Sequence, residues 1–482
     1  MQHIAIIGMG VAGVGVLNAY RAHLSSQQLE DVTFHCFDTK ESFGRGLPFR
    51  DPAKEALLNS KTDTLSVHTQ DLNNDRYGFR HWLEDRQDEI PTYETRYAFG
   101  SYMKDYLKAV TQKLPVTCYY HKVQRIQFTQ NKWQLILEEP SQPLPLFDRV
   151  HVCTGEMPNP DFYQLEGHAQ FVKTVYPLTE LPQAIQPSDR ALVIGLGLTG
   201  IDVVKYLMNT RQLDKVYLFS RSNQFPLIRG DESEKLSFKY LTENNAKRQA
   251  NPTFEWVEEL LHKEIAYHGL SYNDFLKECY QPGLEGLKAS MEHSKAVGIM
   301  TQIFSELVRT LLATAWPIMS ERDRKQFKDK YDQVIGHVRN PMPKISAKDL
   351  LTYVDEGRLE LLTEVKTVGK KNKEQLEVVF EDSKTLSIDW VFNATGMSLT
   401  HETALEKGFL ASQLLNDHLA TLDYQGGLSF VSPFYHSLSS LLGEAKGLHL
   451  HGLLIDGPMY QNNSIINIQQ QAFELVKSLY KQ

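Results

Sequence analysis

The sequence predicts an α/β protein with two Rossmann-like dinucleotide-binding domains and a helical insertion in the second. Three observations lead there. Two apolar stretches break into the same turn, Gly8-x-Gly10-x-x-Gly13 and Gly195-x-Gly197-x-x-Gly200. Two later strands end alike, "VHVCTG" at Thr154-Gly155 and "VFNATG" at Thr395-Gly396. Between the second pair of motifs, from about residue 230 to about 340, apolar residues recur at three- and four-residue spacing, as in amphipathic helices. The chain has 482 residues, enough for two or three ordinary domains.

The first turn follows the strand "HIAIIG" and opens a helix, "VGVLNAYRAHL". Gly8 permits the tight turn, Gly10 lets backbone approach a pyrophosphate, and Gly13 lets helix and strand pack closely. The helix start, which includes Ala12, presents free N–H groups and a positive dipole end to an anion. A second strand, "VTFHCFD", ends in Asp38, 25 residues beyond Gly13. A carboxylate there accepts hydrogen bonds from an adenosine ribose; the alternative is a glycine turn beside a solvated acid.

The stretch that follows points to FAD rather than NAD in this first site. "ESFGRGLPF" brings a second glycine pair with Gly44 and Arg45, and "LLNSKTDTLSV" brings Asn59. A long excursion then precedes the strands "KWQLILEE" and "DRVHVCTG", read as a pair, where a simple dehydrogenase would continue with another βα unit. Val123, Thr154 and Gly155 stand with Gly44, Arg45 and Asn59 as candidate contacts. The linker is expected at residues 158–187, which carry Pro158, Pro160, Pro177, Pro182 and Pro187.

The second unit, 188–396, repeats the strand, turn and helix in "DRALVIGLGLTGIDVVKYLMNT". Its next strand, "KVYLFSRS", ends in Ser220-Arg221 where the first unit has Asp38. A hydroxyl and a guanidinium favour the 2′-phosphate of NADP(H) over the free hydroxyl of NAD(H). The other reading is a structural echo that binds no nucleotide. Thr395-Gly396 marks the return to the first domain, which is expected to span 1–157 and 397–482. In its tail, Asp456 precedes an amphipathic helix and is placed by the ribityl or pyrophosphate of a flavin.

These motifs together resemble the bacterial FAD-NAD(P)-binding proteins, distantly similar to flavin-containing and N-hydroxylating monooxygenases. The resemblance rests on Gly8–Gly13, "FGRGLPF", "LLN", "TRYAFGSYMKDYL", "VCTGEMPNP", "VIGLGLTGIDVV", "FNATG" and "FKDKYDQVIGHVRNPMPKISAKDLLTYVDEGRLEL". It implies the fold and FAD, not a substrate. Two departures narrow it. "YQLEGHAQFVKTVYP" keeps Gly167 but not the spaced histidine of the flavin-monooxygenase fingerprint. The reactive cysteine pair of the disulfide reductases is missing: Cys36, Cys118, Cys153 and Cys279 are spread along the chain.

Composition removes other classes. A net charge of -8 argues against a nucleic-acid footprint. No bilayer-spanning apolar run is read, and the opening strand leaves no room for a signal peptide, so a cytoplasmic protein is expected. "LHLHG" sets His449 and His451 on one strand face, but no third metal ligand follows, and none is expected. "SERDRKQFKDKYDQ" reads as a solvated helix face, and Trp256, Phe304 and Trp316 as core of the insert. No general acid, base or nucleophile is nominated. The expectation is an NADPH-dependent flavin oxidoreductase acting on a small molecule or dioxygen. The alternatives are an FAD enzyme reduced by its own substrate, and a flavin-bearing sensor whose helical insert binds a protein partner.

Overall fold

The computed structural model describes residues 1–67, 78–139 and 143–480. The chain divides into two compact units, Met1–Pro158 with Met397–Gln482, and Asn159–Gly396.

In the first unit, β1 (Gln2–Ile7) lies between β2 (Val32–Phe37) and β6 (Arg149–Val152), all parallel. The seven-stranded sheet continues beyond β2 to β3 (Val116–Tyr119). Beyond β6 it continues to β17 (Gly443–Leu450), β16 (His436–Ser439) and β15 (Phe430–Val431). Strands buried on both faces need apolar residues at every position, hence the unbroken run Ile4–Ile7. Ile4 and Ile6 pack with Val14, Leu17 and Tyr20 of α1 (Val11–His23), whereas Ala5 and Ile7 pack with Phe37, Trp133 and Val150 on the other face. The C-terminal helix, Ile465–Tyr480, lies along α1 and adds Phe473 and Val476 to that core. Helix α2 (Arg96–Thr111) is capped by Thr95, whose hydroxyl accepts from the Ala98 N–H.

"KWQLILEE" and "DRVHVC" do not pair as neighbouring strands. β5 (Lys132–Leu137) forms a two-stranded ribbon with β4 (Val123–Thr129), while β6 enters the main sheet. The ribbon turns at Gln130 and Asn131, both at positive φ, as a two-residue primed turn requires.

In the second unit, five parallel strands run β10 (Leu359–Leu361), β9 (Lys215–Phe219), β8 (Arg190–Ile194), β14 (Trp390–Asn393), β7 (Phe171–Val172). An antiparallel sheet of β11 (Val365–Lys370), β12 (Leu376–Phe380) and β13 (Thr385–Ile388) stands beside them. Residues 159–187 are not a linker. They supply β7 and bury Leu165, Val175, Leu178, Leu181 and Ile185. Their prolines punctuate turns inside the unit, and Arg211 donates to the Leu181 and Pro182 carbonyls.

The helices of the insert run from Glu243 to Arg339, and α6 (Lys344–Asp355) leads out of it into β10. Phe304, Trp316, Phe327 and Tyr331 fill its core, and Trp256 is half-buried. Glu264, fully buried on α4 (Phe254–Tyr267), accepts from the N–H groups of Lys239, Tyr240 and Leu241 and so fastens the entering loop. The expectation of no span-length apolar helix needs correction. Ser294–Ile318, which begins as α5 (Ser294–Glu306) and passes through a π turn, is long and apolar enough by length and composition to cross a bilayer. Its most apolar window is 61% buried within the protein, as the central helix of a helical insert must be.

Candidate functional site

The first cradle is closed by two backbone bonds: Gly8 N–H to the Phe37 carbonyl (2.8 Å) and Cys153 N–H to the Ile7 carbonyl (2.7 Å). Gly8 has φ +90°, and a Cβ there would lie 2.8 Å from the Cys153 carbonyl oxygen and 2.9 Å from the Thr154 nitrogen. A Cβ on Gly13 would lie 2.1 Å from the Gly8 carbonyl oxygen. Sterics therefore demand glycine at both positions. Gly10 caps α1 with no side chain on the first-turn N–H groups, which leaves them for an anion.

Asp38 is turned into this turn. One carboxylate oxygen accepts from the Met9 N–H (2.6 Å) and the other from the Thr39 N–H (2.8 Å). Burial pushes its carboxyl up to about 6. Each oxygen keeps a second acceptor site, so bracing the loop and receiving ribose hydroxyls are compatible. The segment Glu41–Arg50 closes over the turn: Gly44 N–H donates to the Met9 carbonyl (2.9 Å), and a Cβ on Gly10 would lie 3.2 Å from the Gly46 Cα.

Three buried polar atoms here have no protein partner: Thr154 Oγ1, Arg45 Nε and Arg50 Nε. Arg45 stacks 4.4 Å over the Tyr97 ring and donates to Ser101 (3.3 Å), whereas Arg50 bears electrostatically on Asp38. Unpaired buried donors are costly. Two guanidiniums, a hydroxyl and free helix amides around glycine backbone are the donor set a dinucleotide diphosphate needs. The residues present therefore fit FAD. Arg50 escaped the sequence reading because only burial distinguishes it from a surface charge.

The other expected contacts are distributed as follows. Gly155 is exposed beside Thr154, and Asn59 is half-buried two residues beyond the Leu57–Thr95 bridge. Val123 begins β4 with its side chain in the core among Leu135 and Leu137, so only its backbone faces outward. Asp456 accepts from the Asn462 N–H (2.9 Å) at the end of a 3-10 turn, Gly452–Ile455. A Cβ on Gly452 would lie 3.6 Å from that of Ala12, which sets this turn beside the first turn of α1.

The second cradle, built on β8, α3 (Leu198–Asn209) and β9, repeats the first bond for bond. Gly195 N–H donates to the Phe219 carbonyl (2.7 Å) and Ala394 N–H to the Ile194 carbonyl (2.8 Å). A Cβ on Gly195 (φ +122°) would lie 2.4 Å from the Ala394 carbonyl oxygen, and one on Gly200 1.9 Å from the Gly195 carbonyl oxygen. Gly197 differs: a Cβ there would meet nothing within 4 Å. Thr395 follows on the surface, its hydroxyl given to Asn393 (2.7 Å), and Gly396 has φ +90°.

At the end of β9 no carboxylate replaces Asp38. Ser220 and Ser222 place their hydroxyls 3.4 Å apart, and exposed Arg221 lies 4.7 Å over the Phe162 ring. Among the described residues, Arg221 pairs with no carboxylate. Sequence reasoning missed Ser222 and Phe162, and also the buried Asp202 of α3, which accepts from the Tyr176 hydroxyl (2.6 Å).

All four cysteines are free, and burial raises every thiol, Cys279 to about 11. Raised thiols are poor nucleophiles. Among the described residues, no group of three histidine, cysteine or acidic side chains is placed to hold a metal.

Paired glycine cradles, each at the end of parallel strands, define a two-dinucleotide-binding fold of the FAD/NAD(P) class. Within it, residues 5–157 match the family model described as FAD-NAD(P)-binding, and this segment is an FAD-NAD(P)-binding domain of that family. A comparison with curated proteins found no match. Solved structures share the fold along nearly the whole chain. L-lysine 6-monooxygenase from Pseudomonas syringae is 14% identical, with 99% of this chain and 98% of that one covered and a TM-score of 0.59. The cadaverine monooxygenase of desferrioxamine biosynthesis from Erwinia amylovora, solved bound to FAD, is 11% identical over 100% and 94%, with a TM-score of 0.56. Bacillithiol disulfide reductase from Staphylococcus aureus is 11% identical over 100% of both chains, with a TM-score of 0.50.

Proposed function

We propose that this protein is a cytoplasmic flavin-dependent oxidoreductase that holds FAD in the first cradle and takes its reducing equivalents from NADPH in the second. A small-molecule substrate or dioxygen then receives them. One observation carries the reading. Two cradles with the same backbone differ in the group that ends the second strand, a buried carboxylate at Asp38 and an exposed hydroxyl–guanidinium set at Ser220–Ser222. The first suits a ribose with free hydroxyls; the second suits a phosphorylated one. The solved monooxygenases of the same fold, one of them with FAD, support the assignment. The raised thiols weigh against the thiol chemistry implied by the reductase's name.

Bound FAD supplies hydride acceptance and electron delivery. The chain's own part is placement. The amides of the Gly8–Gly13 turn, Thr154, Arg45 and Arg50 hold the diphosphate, and Asp38 holds the adenosine ribose. Asp456 and Asn59 serve the flavin half. Gly195, Gly197 and Gly200 with Ser220 and Arg221 bind and orient the reductant, and Thr395-Gly396 closes that turn.

The test is NADPH consumption in air by the FAD-loaded protein. The proposal expects FAD-dependent oxidation of NADPH, faster than that of NADH, with matching oxygen uptake. Oxidation of neither nucleotide, in air or with added acceptor dyes, would overturn it in favour of a flavin reduced directly by substrate.

A further inference from the structure

Four histidines gather on one side of the sheet in the first unit, and the cradle chemistry uses none of them. His151 lies on β6, His436 on β16, His449 on β17 and His451 directly after β17; all are buried. The His151 and His449 rings stack at 4.7 Å, and His436 and His449 stand 4.6 Å apart. His151 Nδ1 lies 2.9 Å from His451 Nε2, and His151 Nε2 lies 2.8 Å from the Tyr20 hydroxyl of α1. Arg149, half-buried on β6, donates to the Tyr480 hydroxyl at 2.8 Å, and the Tyr20 and Tyr480 rings meet edge to face at 6.0 Å.

The Tyr20 hydroxyl has one proton, and among the described residues His151 Nε2 is the acceptor it reaches. A buried hydroxyl left undonated is costly, so Tyr20 donates to His151 Nε2, and His151 carries its own proton on Nδ1 and donates it to His451 Nε2. Burial holds both rings below the ordinary histidine range, so both are neutral at pH 7. His451 consequently keeps its proton on Nδ1. The chain cannot run backwards as a proton relay, because among the described residues Tyr20 reaches no second acceptor for its proton. Nor is it a metal site. The lone pairs of His151 and His451 are filled, which leaves Nε2 of His449, whose Nδ1 donates to the Phe434 carbonyl (2.7 Å), and Nε2 of His436, whose Nδ1 lies 2.8 Å from Glu444 Oε1; among the described residues no third ligand joins them.

What remains is one directed donor. Among the described residues no acceptor takes the His451 Nδ1–H. Its position is fixed by its own N–H, which donates to the Val152 carbonyl (3.0 Å), and by Gly452, which follows it and abuts Ala12 in the first turn of α1. His451 thus stands at the carboxyl edge of the sheet, between the Thr154 segment and the Asp456 turn, where open α/β sheets bind their ligands.

We propose that His451 is a further cofactor-binding residue, a neutral donor from Nδ1 to an oxygen of the dinucleotide's diphosphate–polyol chain, locked in that tautomer by Tyr20 acting through His151. This rests on the reading that the first cradle holds FAD. Tyr20 and His151 are positioning residues.

The experiment is nitrogen NMR of the full chain labelled with ¹⁵N-histidine, before and after FAD, with His451 assigned from its loss in a variant. The expected result is Nδ1-protonated neutral His151 and His451 without FAD, and a shift confined to the His451 Nδ1–H on adding it. His451→Phe should weaken FAD binding about tenfold. His451→Asn, which keeps a donor near the Nδ1 position, should stay within about threefold of the natural protein. Tyr20→Phe, which removes only a hydroxyl, should let His451 populate both tautomers. An Nε2-protonated His451 in the natural protein overturns the lock. An unmoved His451 signal in an FAD-loaded protein overturns the contact, and this readout needs no variant to fold. Failure to take up FAD with the tautomers as described overturns the first-cradle reading and removes the acceptor with it.

Discussion

Gly197→Ala separates a nucleotide site from its structural echo. Of the three glycines in the second cradle, only Gly197 has open space where a side chain would begin. Gly195 and Gly200 are required by the fold itself, since a Cβ on either would lie within 2.4 Å of a carbonyl oxygen. Gly197 caps α3 with φ -69°, a conformation alanine adopts freely. The expected cost to stability is the difference between glycine and alanine as caps, about 1 kcal/mol or less. A pyrophosphate that approaches this backbone meets the new methyl instead. Losing one charge-assisted hydrogen bond costs about 1.5–3 kcal/mol, about ten- to a hundredfold in Kd. The assay is calorimetric titration of the FAD-loaded variant with NADP⁺, with thermal unfolding as the control. A folded, FAD-loaded Gly197→Ala protein that binds NADP⁺ within twofold of the natural protein would refute the reasoning.

Three other outcomes follow from the geometry. Arg221→Ala should raise the Kd for NADP⁺ at least tenfold while leaving that for NAD⁺ within about twofold, because the guanidinium has no structural ion pair to lose; parallel titrations read the ratio. Thr154→Val, which fills the same volume, should leave the FAD-free protein as stable or up to about 1 kcal/mol more stable, since the hydroxyl it removes has no partner. The same change should weaken FAD binding about three- to tenfold, measured by flavin fluorescence on release. Asp38 predicts a pH dependence. Burial holds its carboxyl at about 6 in the fold against an ordinary 3.8. Its stabilising contribution is complete below pH 3.8 and is lost as the pH rises through 6. The FAD-free protein should therefore lose roughly 2 kcal/mol from this group between pH 4 and 6.5, and urea unfolding of Asp38→Asn should lack that part of the slope.

Both cradles were legible in the sequence because their glycines answer local constraints. Gly8 and Gly195 need positive φ, and Gly13 and Gly200 must touch the turn they follow; such needs leave a fixed spacing. The ends of β2 and β9 were legible for the same reason, as Asp38 and Ser220-Arg221 occupy a set place in the repeat. Tertiary partners were not. The prolines of 158–187 look like a linker until Phe171 is seen to pair with Val391. Arg50 and Ser222 look like any surface residue. The four cysteines seem scattered, yet the parallel pairing of β2 and β3 sets Cys36 opposite Cys118. The histidine cluster was half visible in "LHLHG", but His151 and Tyr20 reach it only through the sheet and α1, and no periodicity marks such a meeting.

The most direct test of the central claim, that FAD and NADPH occupy the two cradles and exchange electrons, is an anaerobic stopped-flow measurement. The FAD-loaded protein is mixed with NADPH or NADH without oxygen, and the visible flavin band is followed. The account predicts bleaching with one NADPH consumed per flavin, slower with NADH, and slowed about ten- to a hundredfold in the Gly197→Ala protein at a matched sub-saturating NADPH concentration. A flavin band unchanged by either nucleotide would contradict it.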